Sequence, residues 1–510
     1  MPEQGSAKTG SRVAAGLLAG VVGIGAGHLA AAAVEPESAP VLAIAASVVD
    51  LTPQPVKQWA IDVFGTGDKA FLLVVVGIVA AIACALAGYF SRRSVRPGIA
   101  ILIGLGVLCA VAALTRPVAT IASILPSVVT AAAGCFTLKK LIEAGDQRRD
   151  LERDDSATSS RRRFLALSGA AAGVGIATLA VGQWLISAGQ RAAAIVLPRA
   201  KEPLAPLPAG LEKTIEGISP FRTPNDDFYR IDTALTVPSI DPHGWRLTID
   251  GDVENKMSLS LADLQKYEVI ERDITMTCVS NEVGGEYIGS ARWLGVRVSD
   301  VLADAGIKDG VDQIFSEDVD GMTISTPVAA LTDDREALLA FGMNGDQLPR
   351  QHGFPVRLVT PGLYGFVGST KWVTKLTATT YAAKQAYWTE RDWVIDAPVL
   401  TQSRIDTPKP LATVVAAQST YIAGVAWAQG RGVAKVEVQI DDGAWSEATF
   451  GPDAGIDYWR QWYLEWTPTA GQHTLRVRAT DGTGQTQTTQ KAPPFPSGAT
   501  GQQSIVVRAE

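Results

Sequence analysis

Cys278 stands in the run Asp-Ile-Thr-Met-Thr-Cys278-Val-Ser-Asn281-Glu-Val-Gly-Gly, where an apolar stretch gives way to small and polar residues. A free cysteine packs as a small hydrophobe in most folds, yet a thiol entering a polar, glycine-bearing loop is also where a working thiolate sits. A second cluster reads His352-Gly-Phe-Pro-Val-Arg357-Leu-Val-Thr-Pro-Gly362-Leu-Tyr364-Gly365-Phe-Val-Gly368-Ser369-Thr370-Lys371-Trp372. Its glycines recur every third residue and open backbone N–H groups to an anion, while Arg357 and Lys371 bring positive charge. The same spacing also suits an ordinary glycine-rich turn between strands. It is neither a Walker nor a dinucleotide pattern, so binding of a phosphate-bearing group is indicated and nucleotide hydrolysis is not.

The elements that must position these residues occupy a chain of two characters. Lys and Arg number 45 and Asp and Glu 52 among 510 residues. Split at residue 190, the charges are 16 positive and 12 negative (+4) before it, leaving 29 and 40 (−11) after it. Mean hydropathy is +0.14, too high for a wholly soluble chain. Disorder, collagen and a disulfide scaffold are excluded by composition, and the acidic second part argues against nucleic acid as partner.

Residues 13–34, 70–90, 97–115, 117–138 and 164–190 are each nearly uncharged over the roughly 20 residues that a bilayer core requires, and five transmembrane helices are expected. The Pro-punctuated stretch from Ala43 to Phe64 reads as an interfacial segment or external loop. Lys8 and Arg12, then Arg92, Arg93 and Arg96, then Lys139, Lys140, Arg148, Arg149, Arg153 and Arg161 to Arg163 mark the cytoplasmic connections; the others hold only Lys57, Lys69 and Arg116. The N-terminus is then cytoplasmic and everything after about residue 190 extracytoplasmic. Ser160-Arg161-Arg162-Arg163-Phe164-Leu165 resembles a twin-arginine export motif, which implies export of a domain that folds before crossing. Cys84, Cys109 and Cys135 lie in the apolar part, so Cys278 has no soluble partner for an intramolecular disulfide. His28 is the one histidine there, so a bis-histidine haem lacks its second ligand, and the helices are read as an anchor or docking bundle.

Residues 191–215 form a Pro- and Ala-rich linker. From 216 to 400 short apolar runs such as Trp245-Arg-Leu-Thr-Ile-Asp-Gly alternate with helical stretches such as Ser299-Asp-Val-Leu-Ala-Asp-Ala-Gly, an α+β pattern. From 405 to 510 the pattern is all-β: Val436, Val438 and Ile440 alternate up to Asp441-Asp442-Gly443, and Leu475, Val477 and Ala479 up to Asp481-Gly482. With Trp427, Trp445, Trp459, Trp462 and Trp466 to fill a core, an immunoglobulin-like sandwich is expected. The domains are therefore a four-helix anchor with a basic linker (1–163), a fifth spanning helix (164–190), the linker, the α+β domain and the sandwich.

These residues together resemble the sulfite oxidase family of molybdopterin-dependent oxidoreductases, in a membrane-anchored bacterial form, over roughly residues 215–510. The resemblance rests on Arg222-Thr-Pro-Asn225-Asp-Asp-Phe228-Tyr229, the Cys278 loop with Asn281, Ala291-Arg-Trp-Leu-Gly-Val-Arg-Val-Ser-Asp-Val-Leu, and Met343-Asn344-Gly-Asp-Gln-Leu-Pro before His352-Gly-Phe-Pro-Val-Arg357. Ile422-Ala-Gly-Val-Ala-Trp427 and the stretch from Trp459 to Trp466 look like the family's C-terminal domain, which implies homodimerisation through it. By this resemblance Cys278 supplies a thiolate to molybdenum, and Asn225, Phe228, Tyr229, Asn281, His352, Arg357, Gly368, Ser369, Thr370 and Lys371 hold the molybdopterin and its phosphate. Tyr364 and Arg230 join Cys278 as catalytic residues. A soft thiolate suits the metal, and charged donors suit the anionic organic part. The implied reaction is oxygen-atom transfer to or from a small oxyanion or sulfoxide, with electrons carried by a separate haem- or quinone-linked partner, since no cytochrome b5-like domain is seen.

The chain also departs from the family. Sulfite-oxidising members carry Arg-Asn-His after the Phe-Tyr pair and an arginine after the Asn of the cysteine loop. Here those places read Arg230-Ile-Asp232 and Glu282-Val, and an acidic residue near the metal opposes a sulfite dianion. A neutral sulfoxide or another oxo acceptor suits this sequence as well as sulfite. Two other classes compete: a Cys278/His352 hydrolase, which lacks a nucleophile elbow, and a cofactor-free, membrane-tethered binding protein. Only the first reading requires molybdenum in the purified protein.

Overall fold

The computed structural model describes residues 3–53, 56, 59–60, 63–64, 67–116, 119–151, 157–192 and 195–510. Of the basic residues used for topology, Lys57 and Arg153 lie outside the described residues, as do 193 and 194 of the expected linker. The chain divides into two compact units, Met1–Ala193 with Ala234–Ser239, and Ala194–Thr233 with Ile240–Glu510.

The first unit is helical: α1 (Glu3–Val34), α2 (Pro40–Leu51), α3 (Asp68–Phe90), α4 (Arg96–Leu114), α5 (Leu125–Leu151) and α6 (Ala157–Ala192). Five stretches, Thr9–Val34, Asp68–Phe90, Arg96–Leu114, Ile121–Ala144 and Leu165–Ile186, are long and apolar enough to cross a membrane. Helix α2, at 12 residues, is too short to span and takes up part of the stretch expected to be interfacial. Helix α1 packs against α3, α5 and α6. A Cβ on Gly16 would lie 2.1 Å from the Cys84 carbonyl oxygen, and one on Gly88 2.0 Å from that of Arg12. Glycine at both places lets the backbones of α1 and α3 touch, the usual device where no hydrophobic effect separates helix from surroundings.

In the second unit, one sheet runs in the order β2 (Met257–Ser260), β1 (Arg246–Gly251), β10 (Val373–Thr379), β5 (Gln313–Asp318), β6 (Thr323–Pro327), with β1 parallel to β10 and the other pairs antiparallel. A second sheet runs β3 (Val269–Thr277), β4 (Ile288–Arg297), β7 (Leu338–Met343), β8 (Asp346–Gln347), and β9 (Arg357–Val359) also pairs with β7. All six residues of β7 are buried because both its faces are covered. Leu339 and Phe341 join the core shared with Leu247, Ile249, Leu376 and the helix Val298–Ala305, whereas Leu338 and Ala340 face Phe228, Ile274 and Trp293. That alternation is the period-2 pleat, and it makes the second sheet the floor on which the candidate site rests.

Residues after 400 build two more sheets. One runs β11 (Gln402–Thr407), β13 (Thr420–Trp427), β17 (Arg460–Trp466), β16 (Thr449–Phe450); the other runs β12 (Thr413–Val414), β19 (Gln503–Ala509), β18 (Gly471–Asp481), β14 (Val433–Ile440), β15 (Trp445–Glu447). Ile422, Trp462, Val436, Val438, Leu475, Val477 and Val507 from both sheets form one core. Of the five tryptophans expected to fill it, only Trp462 and Trp466 do so. Trp427 and Trp459 belong to a neighbouring cluster with Phe221, Val279, Ile288 and Tyr364, and Trp445 lies half-buried under the Arg478 guanidinium, 4.2 Å from its ring centre. The ring is amphipathic, and a cation on its face holds it at the surface.

Candidate active site

Strand β3 delivers Cys278 to a tight loop. Cys278 N–H donates to the Tyr287 carbonyl (2.9 Å), Asn281 N–H to the Cys278 carbonyl (3.0 Å), and Tyr287 N–H to Asn281 Oδ1 (2.8 Å). Asn281 thus closes the loop from inside and fixes Cys278, a residue that is partly exposed. Burial pushes the Cys278 thiol up, while hydrogen bonds with Ser280 and the charge of Lys371 pull it down.

The second cluster folds back on itself. Leu358 N–H donates to the Thr370 carbonyl (2.9 Å), and Thr360 N–H to the Gly368 carbonyl (2.9 Å). These bonds bring the start of β9 beside the residues before β10 and place Arg357 and Lys371 together. Gly353 lies between them with φ +118°, and a Cβ there would meet Arg357 Cβ at 3.1 Å and Lys371 Cα at 3.1 Å. Only glycine adopts that backbone while leaving both basic side chains their room. Arg357, 5% exposed, donates from Nε to Ser369 Oγ (2.8 Å) and from Nη1 to the His352 carbonyl (3.2 Å). Its guanidinium lies 5.4 Å from the Trp293 ring centre. Among the described residues no carboxylate is within ion-pair distance of it. Burial lowers the Arg357 pKa to about 10 and the Lys371 pKa to about 8, so both remain predominantly protonated at neutral pH.

Phe228, Tyr229 and His352 form the wall. Phe228 stacks on Tyr229 (centroids 5.2 Å) and meets His352 and Trp293 edge-on (5.4 and 5.9 Å). His352 Nε2 lies 2.8 Å from the Asn225 carbonyl oxygen, and its Nδ1 is buried without a hydrogen-bond partner. Burial, with help from Arg357, Lys371 and Arg230, lowers its pKa to about 4. Burial likewise raises the Tyr229 phenol well above its usual range, the nearby Cys278 adding to the effect.

The structure therefore brings together Asn225, Phe228, Tyr229, Arg230, Cys278, His352, Arg357, Ser369 and Lys371. Four other expected site residues are engaged with the protein itself. Asn281 holds the cysteine loop; Thr370 shares a 2.6 Å hydroxyl contact with Ser316; Gly368 sits where a Cβ would lie 2.8 Å from Leu363 Cβ. Tyr364 is buried beside Val279, its hydroxyl accepting from Leu400 N–H (3.4 Å) and its pKa pushed up to about 12.

Sequence reasoning gave no site role to three participants. Asn344, at φ 56°, donates to Asn225 Oδ1 (2.9 Å) and accepts from Arg292 N–H (3.0 Å), so it positions Asn225; the Asn344-Gly345 turn was the available signal. Asp232 accepts from Lys371 (3.0 Å) and Arg230 (2.8 Å). Asp318 is buried and its pKa is raised to about 7 by burial, Asp320 and Asp232. Glu282, expected near the metal, is exposed and lines a cleft of about 300 Å³ with Lys491 and residues 492–494, 499–500 and 502–504, a cleft to which Arg357 and Lys371 do not contribute.

A thiol beside two buried cations, an unsatisfied imidazole nitrogen and an aromatic wall has the charge and the donor types that a metal-bearing organic anion requires. Among the described residues no group of three or more His, Cys, Asp or Glu side chains could hold a metal alone, so a metal here would need ligands from a cofactor. Residues 234–388 match the family described as oxidoreductase molybdopterin binding domain. These residues are thus similar to a molybdopterin-binding domain of oxidoreductases. The chain is 33% identical over 304 residues to mitochondrial sulfite oxidase of Mus musculus, covering 50% of this chain and 55% of that protein. It is 31% identical over 294 residues to sulfite oxidase of Gallus gallus, covering 48% and 63%. The crystal structure of the sulfane dehydrogenase SoxCD from Paracoccus pantotrophus shares the fold, with a TM-score of 0.51 at 23% identity over 61% of this chain and 90% of that one. The chain is similar to sulfite oxidases over about half of its length, and it spans about half the length of the mammalian relatives it matches. The matched domain implies molybdenum–molybdopterin as cofactor, and the buried Arg357 and Lys371, the bare His352 Nδ1 and the Cys278 thiol fit such a group in charge and in donor type.

Proposed function

We propose that this chain is a membrane-anchored oxidoreductase that transfers an oxygen atom to or from a small oxyanion or sulfoxide on the extracytoplasmic side. The observation that carries the reading is the placing of Cys278, a partly exposed residue, close to a buried cationic pair that among the described residues has one carboxylate, Asp232, within ion-pair distance. Molybdenum bound through the pterin supplies the two-electron oxygen-transfer chemistry. The chain's own residues hold and orient. Cys278 as thiolate ligates the metal; Arg357, Lys371, Ser369, Asn225 and His352 hold the pterin and its phosphate by charge-assisted and neutral hydrogen bonds. Phe228 and Tyr229 exclude water from that wall. Arg230, the most exposed of the cations, orients the substrate, and Tyr364 acts as a positioning residue beneath the cysteine loop.

Five apolar stretches of spanning length and the distribution of Lys and Arg support the anchor and its orientation. Two sheets around one core support an immunoglobulin-like C-terminal domain and homodimerisation through it. The electron partner is a separate haem- or quinone-linked protein. Metal analysis of the purified chain tests the reading: about one molybdenum and one pterin per chain are expected, and their absence from protein made in cells that synthesise the cofactor overturns it.

A further inference from the structure

Asp232 Oδ2 receives Arg230 Nε at 2.8 Å and Lys371 Nζ at 3.0 Å. The Asp232 side chain is 7% exposed, Lys371 10% and Arg230 33%, so one carboxylate oxygen ties the most accessible cation of the site to a buried one. Such an arrangement is bound by geometry to act on charge: a carboxylate shared between two cations takes their field away from any third party. Arg230, Arg357 and Lys371 carry one positive charge each and Asp232 one negative, which leaves +2 for the four side chains, and His352 is held neutral. A phosphate monoester carries roughly two negative charges at neutral pH. The cofactor's phosphate alone therefore balances these four side chains, which leaves them no net positive charge for a dianionic substrate.

Resting on the function proposed above, we infer that Asp232 determines the substrate class, withdrawing Arg230 from anion binding so that the pocket favours neutral oxo compounds of the sulfoxide type over sulfite. The acidic residue that matters is the one clamped among the cations, and Glu282 in its separate cleft is a bystander to this selection.

The test uses the full chain in detergent, as the unmodified protein and as Asp232→Asn and Glu282→Gln, with two readouts besides turnover. Molybdenum and pterin content are measured first. Sulfate, a dianion that does not react, is then titrated calorimetrically. Asp232→Asn keeps the side-chain shape and removes the charge, so sulfate affinity should rise roughly ten- to hundredfold, whereas Glu282→Gln should shift it less than twofold. In turnover, the ratio of kcat/KM for sulfite to that for an alkyl aryl sulfoxide should rise at least tenfold in Asp232→Asn. Sulfate affinity within twofold of the unmodified chain overturns the inference. So does loss of the cofactor in Asp232→Asn alone, which would make Asp232 part of the pterin cradle, or a gain in Glu282→Gln equal to that in Asp232→Asn. Absence of molybdenum from the unmodified chain overturns the proposed function instead, and the sulfate comparison still decides the role of Asp232 because it needs no turnover.

Discussion

His352 and the backbone carbonyl of Asn225 meet at 2.8 Å through Nε2. A carbonyl only accepts, so Nε2 carries the ring proton and the buried Nδ1 is a bare acceptor. Whatever binds here must present a donor to Nδ1, as an N–H of a pterin does. Because the imidazole titrates near pH 4, it stays neutral across the physiological range. His352→Ala should lower pterin occupancy several-fold, by the same factor at pH 6 and pH 8, as read by pterin fluorescence after denaturation. A loss confined to one of the two pH values would mean that the imidazolium is the binding form.

Cys278→Ser should abolish turnover, a loss of at least a thousandfold, while near-ultraviolet circular dichroism and Tm stay close to those of the unmodified chain. A hydroxyl is a poor substitute for a soft thiolate on the metal, and the loop is held by backbone and Asn281 bonds that serine leaves intact. Activity within tenfold of the unmodified protein would refute the ligand assignment.

Arg357→Ala and Lys371→Ala should each cut cofactor content, with Arg357→Ala the more severe because it also releases Ser369 and the His352 carbonyl. Lys371 adds a pH signature. It attracts an anion only while protonated, and its pKa lies near 8, so retention of cofactor through dialysis should weaken as pH rises from 7 to 9. That slope should vanish in Lys371→Ala.

Asp318 offers a stability test. Its folded pKa, about 7, stands above the ordinary 3.8, so between these values the folded chain holds a proton that the unfolded chain releases. Its contribution is full below about pH 4 and is lost as pH rises through about 7. Asp318 Oδ1 accepts from Asp320 and Met322 N–H groups at 2.8 and 2.9 Å, bonds that asparagine retains. Asp318→Asn should therefore stabilise the cofactor-free chain at pH 8 by on the order of 1–3 kcal/mol and leave it nearly unchanged at pH 4.5, as measured by thermal unfolding.

Replacing Arg161 and Arg162 with Lys keeps the charge that orients helices and removes the residues a twin-arginine receptor reads. Protease protection of residues after 215 should then indicate a catalytic domain retained inside. Unchanged export would leave these arginines with the orienting role alone.

The parts of the site that could be read from the sequence lie close together in it. His352 to Lys371 form a single strand–turn–strand segment, so their spacing in sequence is nearly their spacing in space, and the cysteine loop is equally local. What escaped notice depends on distant pairings. Asp232 is 139 positions from Lys371 and Asn225 is 119 from Asn344, and no local pattern announces either contact. The long helices and the β alternation before Asp441 and Asp481 were visible for the same reason of locality. The destinations of Trp427 and Trp459 were not, because the period of a strand says which residues share a face and nothing about what that face meets.

Three side chains from beyond residue 400 reach back to the cysteine region: Gln429 donates to the Thr275 carbonyl (3.0 Å), Trp459 Nε1 to the Phe221 carbonyl (2.8 Å) and Arg404 to the Gly285 carbonyl (2.7 Å). The backbone that aims the thiol thus takes part of its shape from a stretch of chain more than a hundred positions further on. Inheritance of the two stretches is coupled in consequence. A chimera that takes residues 401–510 from a relative must import partners for those three carbonyls as well, or the graft will fold and still misaim the sulfur.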